Sequence, residues 1–344
     1  MKYRLLGNSG LRVAEMSLGT MTFGEDWGWG SAKEESRKIY EEYRAAGGNF
    51  IDTANIYTNG TSESLIGEFL QGHRQEMVVA TKYTNAAPGK DPNAGGNHRK
   101  SMVQAVEDSL RRLKTDYIDL YWLHVWDKLT PVDEVMRTFD DLVRQGKVLY
   151  TGVSDAPAWW IAQANTLAEL RGWTRFAGLQ IEYSLVERTV ERELTPMAKA
   201  FNLGLVAWSP LGGGLLSGKY QSADKSAKRY SDESMQGFMR KGEQTDRIVA
   251  ALKKVSEETG RSSAQVALAW LRYRDIPVIP IIGARKISQL QDNLASLTLE
   301  LSTEQVSALN AASAIELGFP HEFYELDMVK NFIYGGMLDQ IIAA

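Results

Sequence analysis

Cysteine is absent from all 344 residues, which excludes disulfides, thiolate nucleophiles and cysteine-held metals together. Histidine occurs only four times, with neither His-x-x-His nor His-Glu-x-x-His spacing, so no metal centre is expected. No stretch approaches the roughly eighteen consecutive apolar residues of a membrane span. The opening "MKYRLLGNSGLRVAEMSLGT" lacks the apolar core of a secretory signal and reads as two short strands around Asn8–Gly10. Charge of one sign is also scarce: the formal net charge is −4 and no basic patch stands out, which argues against nucleic acid. The expectation is a soluble, cytoplasmic protein with neither membrane nor nucleic-acid partner. Its oligomeric state is left open between monomer and homo-oligomer.

What is present is an alternation. Eight short apolar runs, "EMSLGT", "NFID", "MVVATK", "YIDLYWLH", "KVLYTGVS", "FAGLQIEY", "LGLVAWSP" and "PVIPIIG", are separated by longer segments of helical period. The runs are apolar at successive positions, as parallel strands covered on both faces require. Ser31 with Glu34 gives a capping-box start to the first helical segment, which stops at Gly47–Gly48. Val103, Val106, Leu110 and Leu113 fall on one helical face, and segments 131–145, 157–171, 189–202, 245–260 and 286–297 fill later gaps. Eight strand–helix units without a linker predict a single α/β domain over 1–344, a closed (β/α)8 barrel with an N-terminal β-hairpin. An open doubly wound sheet would carry a Gly-x-Gly-x-x-Gly turn after its first strand, and "GTMTFG" lacks that spacing. Ser302 and Gln305 open an extra C-terminal helix, and 318–344 forms an apolar-flecked tail.

In such a barrel the chemistry belongs at the C-terminal strand ends. Asp52 closes "NFID", Lys82 closes "MVVATK", His124 closes "YIDLYWLH", and Tyr57 follows Asp52 by five residues. Each alone has a plainer role: Asp52 as a turn cap, Lys82 as a solvated strand end, His124 bonded to backbone, Tyr57 as a packed aromatic. Their placement on consecutive strand ends is what points to a site. A phenol titrates near ~10, too high for ready proton exchange at neutral pH. An adjacent Lys⁺ favours the phenolate, a carboxylate would hold that lysine, and an imidazole could orient a bound carbonyl. The result is a metal-free proton donor for a developing alkoxide. No side chain supplies hydride, so a nicotinamide cofactor is implied.

The chain at this point resembles an aldo-keto reductase, from "YRLLGNSGLRVAEMSLGTMTFG" to about residue 300. The likeness rests on "FIDTANIYTNGTSESLIGEFL", "ATK", "LRRLKTDYIDLYWLH", "GVSD", "LQIEYSL", "AWSPLGGGLLSGKY" and "IIGARKISQLQDN" in that order. It is most similar to the aryl-alcohol dehydrogenase-like branch, and also resembles the β subunits of voltage-gated potassium channels. The resemblance implies that Asp52, Tyr57, Lys82 and His124 are the catalytic tetrad, with Tyr57 as general acid, and that NADP(H) lies across the barrel mouth. It implies that Ser154, Asp155 and Gln180 hold the nicotinamide carboxamide and that Trp208 stacks on its ring. Ser209, Leu211, Gly212, Gly213 and Lys219 match the pyrophosphate loop, and Thr20 and Met21 a cofactor-lining pair. Gly283, Arg285, Gln289, Asp292 and Asn293 match the adenosine end, where Arg285 offers a charge for a 2′-phosphate or is simply a surface arginine. Asp155 stands where the family usually has Asn, and an ionised Asp can accept from the carboxamide but cannot donate to it.

The expected activity is reversible reduction of a small-molecule aldehyde or ketone with NADPH. Trp27, Trp29, Tyr83 and Trp126, after strands one, three and four, are candidate substrate-binding aromatics. The alternative is an NADP-binding regulatory subunit of the channel type, disfavoured because all four tetrad residues are present. A barrel hydrolase or metal-dependent isomerase would need paired carboxylates or clustered histidines at strand ends. The tail from Gly318 could line the pocket, pack on another subunit, or dock on its own barrel, the last being expected.

Overall fold

The computed structural model describes residues 1–218 and 240–342. A hairpin comes first, β1 (Tyr3–Leu5) antiparallel to β2 (Arg12–Ala14), with Arg4 opposite Val13. Eight parallel strands follow: β3 (Ser17–Gly19), β4 (Phe50–Asp52), β5 (Val78–Tyr83), β6 (Ile118–Leu123), β7 (Val148–Ser154), β8 (Phe176–Glu182), β9 (Gly204–Trp208) and β10 (Val278–Gly283). β10 pairs with β9 on one side and with β3 on the other, which closes the sheet into a barrel. Each of the eight apolar runs holds one barrel strand, so the (β/α)8 expectation is met.

Helices α1 (Lys33–Ala45), α2 (Thr61–Phe69), α3 (Arg99–Leu113), α4 (Val132–Arg144), α5 (Ala158–Arg171), α6 (Leu194–Ala200), α7 (Glu243–Thr259), α8 (Ser263–Trp270) and α9 (Ile287–Ala295) follow strands of the barrel. Beyond the eighth unit come α10 (Thr303–Ala312), α11 (His321–Tyr324) and α12 (Asp327–Tyr334). Ser302 and Gln305 open α10 as expected and form a capping box there. The pair at Ser31 and Glu34, where a box was expected, forms none: α1 starts after Ala32, and the Ser31 hydroxyl donates instead to Arg285 O at 3.1 Å. Of the proposed face on α3, Val103 is exposed while Val106, Leu110 and Leu113 are buried, with Met102 completing the face. Segment 189–202 is broken, a short 3-10 turn at Thr189–Glu191 preceding α6.

Because strand side chains alternate, the barrel has two apolar layers. One lies inside, where Phe50, Val78, Ala80, Leu120, Trp122 and Val206 meet Leu6 and Val13 from the hairpin. A side chain on Gly204, the first residue of β9, would strike Leu6, so the hairpin plugs the N-terminal end of the barrel. Trp122 fills the interior because two neighbours carry no side chain: a Cβ on Gly152 would lie 2.3 Å from its ring, and one on Gly178 at 2.9 Å. The other layer packs the strands' outer faces against the helices. With one end plugged and the interior filled, the C-terminal mouth is the place left for a ligand. No helix among the described residues is long and apolar enough to cross a membrane.

Candidate active site

Strand register brings the ionisable residues together. Asp52 ends β4 opposite Ala80 of β5, and Lys82, two residues further on the same face, stands nearer the mouth. Lys82 is fully buried and Asp52 nearly so. The Lys82 ammonium donates to Asp52 Oδ1, to Thr53 O at 2.8 Å and to the Tyr57 hydroxyl at 3.1 Å. All three of its protons are therefore spent inside the protein. The other Asp52 oxygen accepts from Gln180 Nε2 at 2.8 Å, so β8 reaches across the barrel to hold the same carboxylate.

Tyr57 is placed by a strained turn. Thr58 (φ 46°) and Asn59 (φ 56°) both adopt left-handed backbone, a cost of roughly 1–2 kcal/mol per residue. The buried Thr58 hydroxyl offsets it by donating to Phe23 O at 2.7 Å and accepting from Ser62 N–H at 3.1 Å. The turn thus carries the phenol off the end of β4 and over Lys82, whose Nζ lies 4.7 Å from the ring centre. His124 follows β6 directly, its ring edge-on to Tyr57 at 5.9 Å between centres. Asn85 Nδ2 approaches His124 Nδ1 at 3.2 Å. Assigned with the amide as donor, this leaves Nε2–H to face a ligand.

Electrostatics fix two charge states. Burial pulls Lys82 toward the neutral amine, but Asp52 and Tyr57 together outweigh it and hold the ammonium above the ordinary lysine value. His124 goes the other way: burial first, and then the Lys82 charge, keep it well below the usual imidazole value and therefore neutral. The site presents a fixed cation beneath a phenol, with a neutral imidazole beside it. That is suited to giving a proton to an oxygen that becomes negative.

The residues expected around a nicotinamide lie along the same rim. Ser154 ends β7, and its buried hydroxyl finds no hydrogen-bond partner among the described residues. Asp155 (φ 44°) accepts from the Trp208 indole N–H at 3.0 Å. Part of Asp155 faces solvent, yet the protein crowding its carboxyl pushes it up to about 6, against the indole bond, the Lys82 charge and the nearby Ser154 hydroxyl. Thr20, fully buried after β3, bonds Asp52 O through its N–H at 2.9 Å and accepts from Ser62, with Met21 next to it. In the glycine loop Ser209 Oγ accepts from Gly213 N–H at 2.9 Å. Gly212, Gly213 and Gly214 all have positive φ, a backbone only glycine takes without strain. Leu211 starts that turn, and Lys219 lies outside the described residues. Gly283, the last residue of β10, is exposed, and just beyond it Arg285 N–H donates to Gln289 Oε1 at 2.9 Å. Asn293 is buried, and Asp292 is engaged by Ser262 Oγ and Gln265 Nε2, where it supports the start of α8.

Among the substrate-binding candidates, Trp27 packs on Trp29 at 5.5 Å and edge-on to Tyr57 at 6.5 Å. Trp126 packs on Trp159. Tyr83 departs from its expected placement beside the substrate. Since Lys82 points into the barrel, Tyr83 points out, where it is fully buried against Tyr121 and Phe139 under the helices.

Comparison with known proteins decides the family. The model of the Aldo/keto reductase family matches residues 15–314. The chain belongs to that family. The aryl-alcohol dehydrogenase [NADP(+)] of Phanerodontia chrysosporium is 39% identical over 342 residues, covering 92% of this chain and 87% of that protein. A norsolorinic acid reductase of Emericella nidulans is 39% identical over 344 residues, covering 95% and 87%. A norsolorinic acid reductase of Aspergillus flavus is 36% identical over 332 residues, covering 93% and 83%. As an aldo/keto reductase the chain is an oxidoreductase, and its family works with nicotinamide cofactors. The donor set fits one: the unpartnered Ser154 hydroxyl, the free oxygen of Gln180 and the Asp155 carboxyl offer one donor and two acceptors to a carboxamide.

Sequence reasoning missed Asn85, which orients His124, and Thr53, whose carbonyl accepts a hydrogen bond from Lys82. "TNAAPGK" after the third run gives no local sign of Asn85's role. Thr53, next to Asp52 at a strand end, was recoverable by asking where the third ammonium proton goes.

Proposed function

We propose that this aldo/keto reductase is an NADPH-dependent carbonyl reductase, working reversibly on aromatic aldehydes and alcohols, with Tyr57 as the proton donor. The observation that carries the reading is the buried relay from Asp52 through Lys82 to the Tyr57 hydroxyl, with neutral His124 beside the phenol. A bound reduced nicotinamide supplies hydride to the carbonyl carbon. The chain's own part begins with His124 Nε2–H, which hydrogen-bonds the carbonyl oxygen and turns it toward Tyr57. As that oxygen becomes an alkoxide, the Tyr57 O–H bond breaks toward it and the alcohol forms. The phenolate left behind is neutralised by the Lys82 ammonium at 3.1 Å, which Asp52 and Thr53 O keep aimed. In the reverse direction the same phenolate takes the alcohol proton.

Ser154, Asp155 and Gln180 would hold the carboxamide and Trp208 the ring, with Thr20 and Met21 beside it. Ser209, Leu211, Gly212 and Gly213 would line the pyrophosphate, which can approach closely where the two glycines carry no side chain. Gly283, Arg285, Gln289, Asp292 and Asn293 would receive the adenosine end. Aromatic substrates are favoured by Trp27, which packs edge-on to Tyr57 with Trp29 against it, and by the names of the aryl-alcohol dehydrogenase relatives. The test is NADPH oxidation with a panel of benzaldehydes. Tyr57→Phe is expected to lower kcat by about 10²–10⁴-fold, the usual worth of a general acid, while NADPH still binds. Turnover of that variant at the wild-type rate would refute the proton-donor role.

A further inference from the structure

The C-terminal arm does not bury itself. Of residues 318–342 only Val329 is buried. The arm's base is nonetheless fixed. Arg192 donates through Nε and Nη2 to Glu316 O at 3.1 and 2.8 Å, and His321 Nε2 pairs with Glu193 Oε1 at 2.9 Å. From that footing α12 stands away from the fold with two apolar stripes at helical spacing. Val329 and Ile333 form one, turned toward the chain at Val329; Met328 and Phe332 form the other, 60% and 78% exposed. Phe319 (84%) and Ile342 (96%) extend the apolar surface on either side.

Aromatic residues present roughly 150–250 Å² each. The arm therefore exposes apolar surface on the order of 1,000 Å², beyond the roughly 300–600 Å² largest patch of a typical monomer. It matches the ~800 Å² that one partner contributes to a standard stable interface. An apolar area of that size needs an occupant wherever the chain is made, and a second copy of the chain is always present. The charges speak against a lipid surface. Glu322, Glu325, Asp327 and Asp339 outnumber Lys330, which is itself paired with Glu325 at 2.6 Å, whereas helices that lie on membranes carry Lys and Arg on the polar face.

We propose that the arm is a self-association surface through which the chain forms a homodimer, the arm of each copy covering the arm of the other about a twofold axis with α12 against α12 at its centre. An antiparallel pair centred near Lys330 sets the Met328–Phe332 stripe against its own mate, as an isologous contact demands. It also opposes the two helix dipoles favourably.

Light scattering on the full chain tests this. The expected mass is twice 38.4 kDa, and Met328→Glu with Phe332→Glu is expected to give 38.4 kDa with far-UV circular dichroism unchanged. A wild-type mass of 38.4 kDa across a dilution series, or a dimeric double variant, overturns the proposal. So does co-flotation of a monomeric wild type with phosphatidylcholine vesicles. Because the chain has no cysteine, an equimolar mixture of the Met328→Cys and Phe332→Cys variants, which the antiparallel pair sets opposite one another, supplies a check that does not depend on the double glutamate variant folding. Oxidation is expected to link the two into a covalent dimer, and failure to link overturns the twofold pairing of α12.

Discussion

Replacing Asp52 by Asn tests the relay where it is most exacting, because the shape of the side chain survives and only its charge is lost. In the wild type, Lys82 is fully buried and its ammonium is balanced by one carboxylate. Gln180, which donates to the other oxygen, can turn its amide to accept from the new Asn NH₂, so no packing defect follows. What remains is a buried cation with three neutral acceptors, the Asn oxygen, Thr53 O and the Tyr57 hydroxyl, and no counter-charge. Removing one partner of a buried pair costs about 3–5 kcal/mol. With an unfolding entropy of ~2.1 cal/mol/K per residue, a chain of 344 residues loses roughly 0.7 kcal/mol per kelvin near its midpoint. The expected fall in Tm is therefore about 4–7 °C near pH 7.

The pH dependence gives this prediction its sign. In the wild type Lys82 is raised above its ordinary value, so its contribution is whole below the unfolded pKa of about 10.4 and is lost only as pH rises through the higher folded value. Without Asp52 the burial that pulls Lys82 down is no longer outweighed, and its folded pKa falls below the unfolded one. The unfolded variant then binds more protons than the folded one across that interval, so its stability rises with pH. Thermal melts of both proteins from about pH 7 to 10 should show the gap narrowing. A gap under about 1 kcal/mol at pH 7, or one of constant size, would refute the assignment of Lys82 as a cation held by Asp52.

Other perturbations follow from the same geometry. Asp155→Asn keeps an acceptor for the Trp208 indole but removes a carboxylate raised to about 6. Since a raised acid costs the fold as it ionises, the variant should melt higher than wild type above pH ~6 and not below pH ~4, by about 1 kcal/mol after allowing for the exposed part of the residue. Gly152→Ala sets a methyl 2.3 Å from the Trp122 ring and should destabilise the barrel by about 1–3 kcal/mol in urea unfolding; a variant as stable as wild type would mean that Trp122 has room to move. Arg285→Ala should raise KM for NADPH at least tenfold and leave KM for NADH unchanged, about 1.4 kcal/mol of charge-assisted contact. Equal KM values for the two cofactors in the wild type would remove the 2′-phosphate from this residue.

The barrel was legible because its signals are local. Runs buried on both faces need no partner to be recognised, and Asp52, Lys82 and His124 each sit at the end of one. What sequence reading missed depends on partners far along the chain. Ser31 makes a good N-cap by itself, but its hydroxyl goes to Arg285 O, more than two hundred residues away. Asp292 is held by Ser262 and Gln265, about thirty residues earlier in the chain, which no local spacing announces. Tyr83 is a different failure, since the strand period of two that sends Lys82 inward sends the next residue outward, and the sequence alone contained that answer.

The Asp52 carboxylate ties the proposed proton relay to the proposed cofactor site, and this makes the Asp at position 155 intelligible. Gln180 gives its amide N–H to Asp52, which leaves its oxygen as an acceptor. The unpartnered Ser154 hydroxyl is then the donor for a carboxamide oxygen, and Asp155 is needed only to accept. An Asn at that position would bring a donor that Ser154 already supplies, whereas Asp accepts from Trp208 and retains a second oxygen for a carboxamide N–H. Ring position and carboxamide position would then be set by the same side chain. Gln180, one hydrogen bond from Asp52 and two from Lys82, would register a misplaced cofactor at the group that neutralises the Tyr57 phenolate. Gln180→Ala should accordingly lower kcat as well as weaken NADPH binding, and a change in KM for NADPH alone would show that the two halves of the mouth act separately.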